Sequence, residues 1–223
     1  MNKVVVVAPH PDDETLGCGG ALLNHKRRGD EVYWLIITAV TEDGSFSPEK
    51  IEKRSLEIQQ VTISYGFTSV YQCGLPTTML DTIPTATMIQ KISAIFHEIN
   101  PNIVYLPYGG DVHTDHHIVF NVVSSCLKWF RYPSVKRVLA YETLSETDAA
   151  LNPDSNTFRP NVFMDISLSI DEKIEIMKMY SSELGVFPFP RSDEAIRGLA
   201  AVRGAASGFK AAEAFMLLKE IIE

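Results

Sequence analysis

The sequence lacks the features that mark disulfide-rich, thiolate-zinc and membrane proteins. Its only cysteines, Cys18, Cys73 and Cys126, are odd in number, widely spaced and without a CxxC pair. No segment approaches ~18 continuous apolar residues, and the short start, Met1-Asn2-Lys3 followed by about five apolar residues, is too polar for a signal peptide. We therefore expect a soluble, cytoplasmic protein with no membrane insertion.

An excess of positive charge is also missing. Lys and Arg number 20 against 28 Asp and Glu, which gives a formal net charge of −8. Nucleic-acid binding depends on clustered basic side chains that release counterions, so this balance argues against it. We expect a small-molecule ligand instead, and 223 residues of which 45% are hydrophobic fit one globular α/β domain.

Apolar β-branched runs alternate with segments of helical periodicity through the first two thirds of the chain. The predicted strands are Val4–Val7, Val32–Ile37, Ser69–Cys73, Ile103–Leu106 and Val135–Tyr141. The predicted helices are Glu14–Arg28, Pro48–Tyr65, Pro84–Ile99 and Asp115–Phe130. This alternation predicts a single Rossmann-like, three-layer α/β domain, with a mostly parallel sheet, helices on both faces and the first strand beside the fourth.

The pattern becomes irregular after about residue 145. We divide the single domain 1–223 into a βαβ core (1–145) and a C-terminal substrate-loop and helical region (146–223). Within the second part the sequence predicts a loop at Leu151–Pro160, a strand at Val162–Ile166, a helix at Asp171–Leu184, an extended loop over a site at Phe187–Arg191 and a final helix at Ala211–Ile222.

Two clusters of acidic and imidazole side chains follow the first and fourth predicted strands. The first is the run Ala8-Pro9-His10-Pro11-Asp12-Asp13-Glu14, and the second is Asp111-Val112-His113-Thr114-Asp115-His116-His117. Ligands of open α/β sheets bind at the carboxyl ends of neighbouring strands, where the strand order reverses. The two clusters are therefore expected to converge on a single ion.

A hydrolytic zinc site needs about three protein ligands and an open position, and His10, Asp13 and His116 fit best. Two histidines and a carboxylate also suit Fe(II), so the ligand types leave the metal open. Asp12 is the candidate general base on the metal-bound water, and His113 would donate a hydrogen bond or a proton to the oxyanion. Asp115 is expected to hold His113 in one tautomer.

Other interpretations compete at individual positions. In isolation, Asp12, Asp13 and Glu14 would be read as a helix cap, and Glu14 favours the helix dipole or braces the site more readily than it ligates. His117 is expected to be a solvated or packing neighbour of His116 rather than a ligand. A nucleotide-binding module that uses Gly17, Gly19 and Gly20 is disfavoured, because these glycines do not form G-x-G-x-x-G and acidic side chains fill the turn.

At Pro9–Glu14 and His113–His116 the chain resembles the LmbE/PIG-L family of metal-dependent de-N-acetylases. The first family motif reads Pro-His-Pro-Asp-Asp-Glu and the second His-x-Asp-His, and both are complete here. The likeness continues through 17–20, Arg54-x-x-Glu57, Arg203-Gly204 and 212–215. It implies zinc on His10, Asp13 and His116, with Asp12 as base and His113 as oxyanion stabiliser or acid.

The resemblance also implies a reaction, removal of acetyl from an N-acetylglucosamine-type amino sugar with release of acetate. Arg54, Arg191 and Tyr108 are the candidate substrate-binding residues, although both arginines also suit ordinary surface ion pairs. An amidase acting on another small-molecule amide and a non-catalytic metal- or sugar-binding member remain open. Relatives often form trimers or hexamers, so the resemblance allows a homo-oligomer.

Overall fold

The computed structural model of the chain describes residues 1–41, 46–151 and 157–222. Its strands are β1 (Lys3–Ala8), β2 (Glu31–Ala39), β3 (Ser69–Pro76), β4 (Ile103–Pro107), β5 (Arg137–Tyr141), β6 (Val162–Asp165) and β7 (Ala212–Glu220). Its helices are α1 (Asp13–Arg27), α2 (Pro48–Tyr65), α3 (Thr85–Ile99), α4 (Thr114–Ser125), α5 (Ile170–Met177) and α6 (Asp193–Ala205). A 3₁₀ turn spans Leu80–Thr82.

The seven strands form one sheet in the order β3-β2-β1-β4-β5-β7-β6. β1 pairs in parallel with both β2 and β4, and only β7 runs antiparallel to its neighbours. The α/β class and the predicted neighbourhood of the first and fourth strands are confirmed. The segment after residue 146 adds β6 and β7 to the same sheet.

Helices cover both faces of the sheet because the strands are apolar on both sides. Val4 and Val6 of β1 pack in a core with side chains of α1, α2, α5 and α6. Val5 and Val7 point to the opposite face and pack in a second core with α3 and α4. A strand buried on both faces reads as a continuous apolar run, which is why β1 is so uniform in valine. No helix in the described ranges has the length and apolarity needed to span a membrane.

The prediction of a final helix at Ala211–Ile222 is wrong, because this segment forms β7. The residues Ala, Glu, Met, Leu and Lys favour helix, but propensity is a weak prior that tertiary context overrides. Here the segment lies between β5 and β6 and pairs with both of them. Its first four residues are all buried, which supplies the packing that a surface helix would lack.

Other differences concern where helices begin and end in the second half of the chain. The helix predicted for Asp115–Phe130 ends at Ser125, and the one predicted for Asp171–Leu184 ends at Met177. Helix α6 was not predicted, although Ser192 caps it by accepting a hydrogen bond from the Ala195 amide. Residues 152–156 of the predicted loop at Leu151–Pro160 lie outside the described residues.

The glycines of α1 serve close packing. A Cβ atom at Gly17 would lie 2.1 Å from the Tyr141 ring, and one at Gly20 would lie 2.5 Å from Ile166. Both are fully helical positions inside the buried part of α1. This packing role agrees with the expectation that the glycines do not form a nucleotide-binding loop.

Candidate active site

The parallel pairing of β1 with β4 brings the two acidic and imidazole clusters to the same edge of the sheet. Residues 9–12 connect β1 to α1, and residues 108–113 connect β4 to α4. Asp12 caps α1 with φ 136° and ψ −29°, a strained conformation for a residue with a side chain. Such strain persists where the surroundings impose it, and it is frequent at functional sites.

Three side chains from these loops and from the first turns of α1 and α4 converge as the sequence predicts. The Asp13 Oδ2 atom lies 3.3 Å from His10 Nδ1 and 3.3 Å from His116 Nε2. These ligand atoms all lie within 4.8 Å of one another, a separation that suits one shared metal ion. The His10 amide also donates to Asp13 Oδ2 at 2.8 Å, which holds the carboxylate in place.

Each histidine of this group has a carboxylate on its other ring nitrogen. His10 Nε2 lies 3.1 Å from Asp115 Oδ2, and His116 Nδ1 lies 2.8 Å from Asp111 Oδ2. These contacts leave His10 Nδ1 and His116 Nε2 to face Asp13. Carboxylates commonly orient metal-binding histidines in this way.

The expected contact between the Asp115 carboxylate and His113 is absent from the described residues. The carboxylate is taken by His10, by the Thr78 amide at 2.7 Å and by the Leu80 amide at 3.4 Å. Instead, the backbone amide of Asp115 donates to His113 Nδ1 at 3.1 Å. Asp115 therefore does fix a tautomer of His113, but through its main chain, and its carboxylate orients His10.

The electrostatics of the group favour a cation. Burial opposes protonation of His10, but hydrogen bonds to Asp115 and Asp13 outweigh it and raise its pKa to about 9. Burial likewise opposes protonation of His116, while the Asp13 charge and the Asp111 hydrogen bond raise its pKa to about 10. Burial also disfavours charged Asp13, yet the two histidines hold its pKa well below the usual range.

One buried atom of this group lacks a hydrogen-bond partner among the described residues. This atom is His116 Nε2, and because the residue is only 1% exposed, solvent does not satisfy it. Buried polar atoms are nearly always satisfied, so an orphaned nitrogen aimed at a carboxylate fits a metal ligand. A second group, His10, His113 and Asp115, also has ligand atoms close together. In that group, however, the Asp115 carboxylate already contacts His10 Nε2 and accepts hydrogen bonds from the Thr78 and Leu80 amides.

Asp12 lies beside this group but belongs to a different contact. Its Oδ2 accepts a hydrogen bond from Arg191 Nη1 at 2.9 Å. Burial and the neighbouring Asp13 charge raise the pKa of Asp12 above its usual range, and Arg191 opposes that shift. Arg191 ends the segment Phe187–Arg191, which the two prolines Pro188 and Pro190 keep out of a helix, and it is the residue of this predicted loop that lines the cleft.

His113 faces the same cleft as a neutral donor. Its Nδ1 accepts a hydrogen bond from the Asp115 amide, so the proton of the neutral ring resides on Nε2. Burial and the nearby rings of His10 and His116 lower its pKa to about 4. The ring centroids of His10 and His113 are 4.5 Å apart. His113 is thus placed to donate a hydrogen bond to a group bound next to His10.

The candidate residues surround a cleft of about 210 Å³. Arg54 and Arg191 line the cleft, but Tyr108 does not; it packs edge-on against Phe158 with ring centroids 5.3 Å apart. The prediction of Tyr108 as a substrate contact therefore finds no support in the cleft. Other lining residues are Thr38, Val40, Phe46, Lys50, Thr77 and Thr78.

Arg54 is more constrained than a free substrate-binding group. It donates to the Pro11 carbonyl at 2.9 Å, lies 3.4 Å from a Glu57 oxygen and forms an ion pair with Glu183. Arg54 therefore braces the loop that carries His10 and Asp12, and it presents only part of its guanidinium to the cleft.

Sequence reasoning missed three acidic residues of the site. Asp111 was placed in the second cluster without a role, whereas Glu146 and Glu183 lie in irregular segments and both contact Arg191, at 3.2 and 3.3 Å. The signal for Asp111 was its position five residues before a candidate ligand; the two glutamates carry no local signal. Glu14 is fully buried and accepts hydrogen bonds from Tyr180, Thr15 and the Asp12 amide, so it braces the loop.

Comparison with known proteins finds matches over most of the chain. The family model described as "PIG-L: GlcNAc-PI de-N-acetylase" matches residues 5–127, more than half of the chain. The chain is 26% identical to a diacetylchitobiose deacetylase of Thermococcus kodakarensis, over 96% of this chain and 82% of that protein. Both strand–loop clusters lie within the matched residues.

Solved structures show the same fold. A diacetylchitobiose deacetylase from Pyrococcus horikoshii matches 98% of this chain and 84% of its own, with a TM-score of 0.79 and 19% identity. GalB, the 4-carboxy-2-hydroxymuconate hydratase from Pseudomonas putida KT2440, matches 100% of this chain and 98% of its own, with a TM-score of 0.77 and 15% identity. Because a hydratase shares the fold, the activity has to be argued from the site.

Proposed function

The chain belongs to the PIG-L family of de-N-acetylases, and from that premise we propose that it is a zinc-dependent hydrolase of N-acetylglucosamine-type substrates. It removes the acetyl group and releases acetate and the free amine. The observation that carries the proposal is the convergence of His10, Asp13 and His116 next to a separate buried carboxylate, Asp12. The diacetylchitobiose deacetylase from Thermococcus kodakarensis, which matches nearly the whole chain, supports an acetylated amino sugar as substrate.

His10 Nδ1, Asp13 Oδ2 and His116 Nε2 would hold the metal ion. When bound, the ion supplies Lewis acidity toward water and toward the acyl oxygen of the amide. Two nitrogens and one carboxylate oxygen are a donor set that zinc accepts in hydrolases while leaving a position open. The donor set also accepts Fe(II), so zinc is the proposal and metal analysis is part of the test.

Asp12 serves as the general base. Its carboxylate lies in the same cleft as the three ligands and is oriented by Arg191 at 2.9 Å. Burial raises the pKa of Asp12, which favours uptake of a proton, whereas Arg191 lowers this pKa and so helps to keep the carboxylate ionised before the reaction. Asp12 therefore takes a proton from the attacking water and returns it to the leaving amine.

His113 stabilises the developing negative charge on the acyl oxygen. The Asp115 amide fixes the proton on His113 Nε2, on the side of the ring away from the main chain. A donor already oriented in the ground state costs no reorganisation as charge develops, and loss of one such donor typically lowers kcat by about 10²–10³. The neutral state of the ring favours this donor role over that of an acid.

Acetate release from a panel of acetylated amino sugars tests the proposal. The panel includes N-acetylglucosamine, diacetylchitobiose and phosphate-linked and nucleotide-linked derivatives, and the metal content of the same sample is measured. We expect acetate from at least one of them, with about one zinc ion per chain. If the zinc-loaded protein releases acetate from none of these amino sugars, the proposed substrate class is refuted.

Two variants separate the ligand from the base. We expect Asp12→Asn to retain the metal and lose most turnover, because asparagine tolerates the positive φ at this position but cannot take up the proton. His116→Ala should lose the metal as well as activity. The exposed His97 packs against Tyr132 with the two rings tilted and does not line the cleft, so His97→Ala is the control and should leave activity unchanged. Full activity in Asp12→Asn would remove the assigned base.

A further inference from the structure

We propose that Asp111 is a positioning residue for the metal ligand His116, and that Thr147 holds Asp111 in the position that this requires. The inference rests on the proposed metal site. It concerns a residue that neither contacts the cleft nor ligates the ion, and it assigns to the loop after β5 a part in metal binding.

The two oxygens of Asp111 have different partners. Oδ2 lies 2.8 Å from His116 Nδ1, and Oδ1 accepts a hydrogen bond from the Thr147 hydroxyl at 2.5 Å. Asp111 is 0% exposed, so solvent offers these oxygens no alternative. Because both oxygens are engaged, Asp111 acts on the ion only through His116.

Thr147 is itself held in a turn. Its hydroxyl accepts a hydrogen bond from the Thr143 amide at 2.8 Å, and its own amide donates to the Thr143 carbonyl at 2.9 Å. The turn is also joined to the loop after β4, because the Val112 amide donates to the Glu146 carbonyl at 3.0 Å. The Thr147 hydroxyl therefore accepts from the Thr143 amide and donates its proton to Asp111 Oδ1.

This arrangement determines what His116 presents to the metal. With Nδ1 donating to Asp111, the lone pair of the neutral ring is on Nε2, which lies 3.3 Å from Asp13 Oδ2 and has no hydrogen-bond partner within the described part of the chain. The carboxylate also makes the imidazole a stronger donor to a cation. Without Asp111, the ring would be free to rotate or to change tautomer.

The chain contains a matched control for a buried carboxylate on a histidine. Asp30 Oδ2 lies 2.8 Å from His25 Nδ1, the same separation, and both side chains are buried. His25 Nε2 is occupied by the Tyr105 hydroxyl at 2.9 Å, so this pair has no atom to offer a metal. Asp30→Asn therefore reproduces the structural perturbation without touching the cleft.

Titration of the apo-protein with Co²⁺, followed by its visible absorption, measures affinity and ligand geometry together. We expect Asp111→Asn to raise the Co²⁺ dissociation constant about 10- to 100-fold and to shift the absorption bands. Thr147→Val, which keeps the shape and removes the donor, should raise the constant measurably above the wild-type value, but by less than about tenfold. Asp30→Asn should lower thermal stability and leave both the constant and the spectrum unchanged.

The outcomes are separable from those of the proposed function. If wild type and His116→Ala bind Co²⁺ equally, the metal site itself is wrong. If His116→Ala abolishes binding while Asp111→Asn and Thr147→Val bind as wild type does, the positioning role is refuted and the metal site stands. If Asp111→Asn fails to fold, Thr147→Val decides alone: unchanged affinity and spectrum overturn the inference. An equal loss of affinity in Asp30→Asn would also overturn it, since the effect would then be general destabilisation.

Discussion

Replacement of Glu213 by alanine should destabilise the protein more than any exposed charge change. Glu213, on β7, accepts hydrogen bonds from the Gly20 and Ala21 amides at 2.8 and 2.7 Å and from Lys173 Nζ at 2.7 Å. Helix α1 is interrupted at Cys18, where φ is −145° and ψ is 20°, so these two amides begin its second part. Glu213 therefore caps a helix inside the protein and neutralises a buried lysine.

The size of the effect follows from what the variant leaves behind. The Lys173 and Glu213 side chains are each 5% exposed, and after the substitution Lys173 Nζ would keep, of its partners among the described residues, the Leu16 carbonyl at 2.8 Å. Removal of one partner from a buried ion pair costs about 3–5 kcal/mol. For a chain of this length, about 2–4 °C of Tm correspond to each kcal/mol, so Tm should fall by about 6–20 °C.

Urea unfolding at neutral pH, followed by circular dichroism, measures this cost. The control is Glu175→Ala, which removes the partner of Lys178 in an exposed pair at the end of the same helix and should cost far less, because exposed ion pairs contribute little to stability. The double variant Lys173→Met, Glu213→Gln removes the charge and keeps an acceptor for the amides, so it should be more stable than the sum of its single variants predicts. A loss below about 1 kcal/mol in Glu213→Ala, or strict additivity in the double variant, would refute the reasoning.

Three further predictions concern pH, the cleft and a residue outside it. Burial lowers the pKa of His25 in the folded protein, although Asp30 opposes this shift, so as the pH falls the unfolded chain takes up the imidazole proton before the folded protein does. The stability that neutral His25 contributes is therefore present above about pH 6.5 and is lost as the pH falls below it. Urea unfolding should show the difference in unfolding free energy between wild type and His25→Gln shrinking from about pH 7.5 to about pH 5.5. Arg191→Met removes the cation beside Asp12 and raises the pKa of Asp12, so the acid limb of kcat/KM should move to higher pH; an unmoved limb would contradict this. Tyr108→Phe should leave kcat/KM unchanged within about twofold.

The part of the fold that the sequence predicts is the part in which local pattern and tertiary environment agree. The valines of β1 read as a strand buried on both faces, and that is where they lie. Helix α2 begins at Pro48 and ends before Gly66, which adopts the left-handed conformation. Proline at the start and glycine just past the end of a helix predict these two boundaries. The same strand order then brings His10, Asp13 and His116 together.

The remainder depends on contacts between distant segments, which no local pattern encodes. β7 has the composition of a helix and becomes a strand because β5 and β6 pair with it. The carboxylate of Asp115 was assigned to His113, its neighbour in sequence, but the 3.1 Å contact is to His10, 105 residues away. Spacing indicates which residues meet at a site, whereas the choice of hydrogen-bond partner requires their positions in space.

The most direct test of the account is the position of the metal in a crystal of the zinc-loaded protein, located by anomalous scattering at the zinc edge. We predict one peak per chain within about 2.0–2.2 Å of His10 Nδ1, Asp13 Oδ2 and His116 Nε2. Asp12 should stay outside the coordination sphere. A peak on His113 and Asp115, or one that takes Asp12 as a ligand, would contradict the assignment of ligands and base.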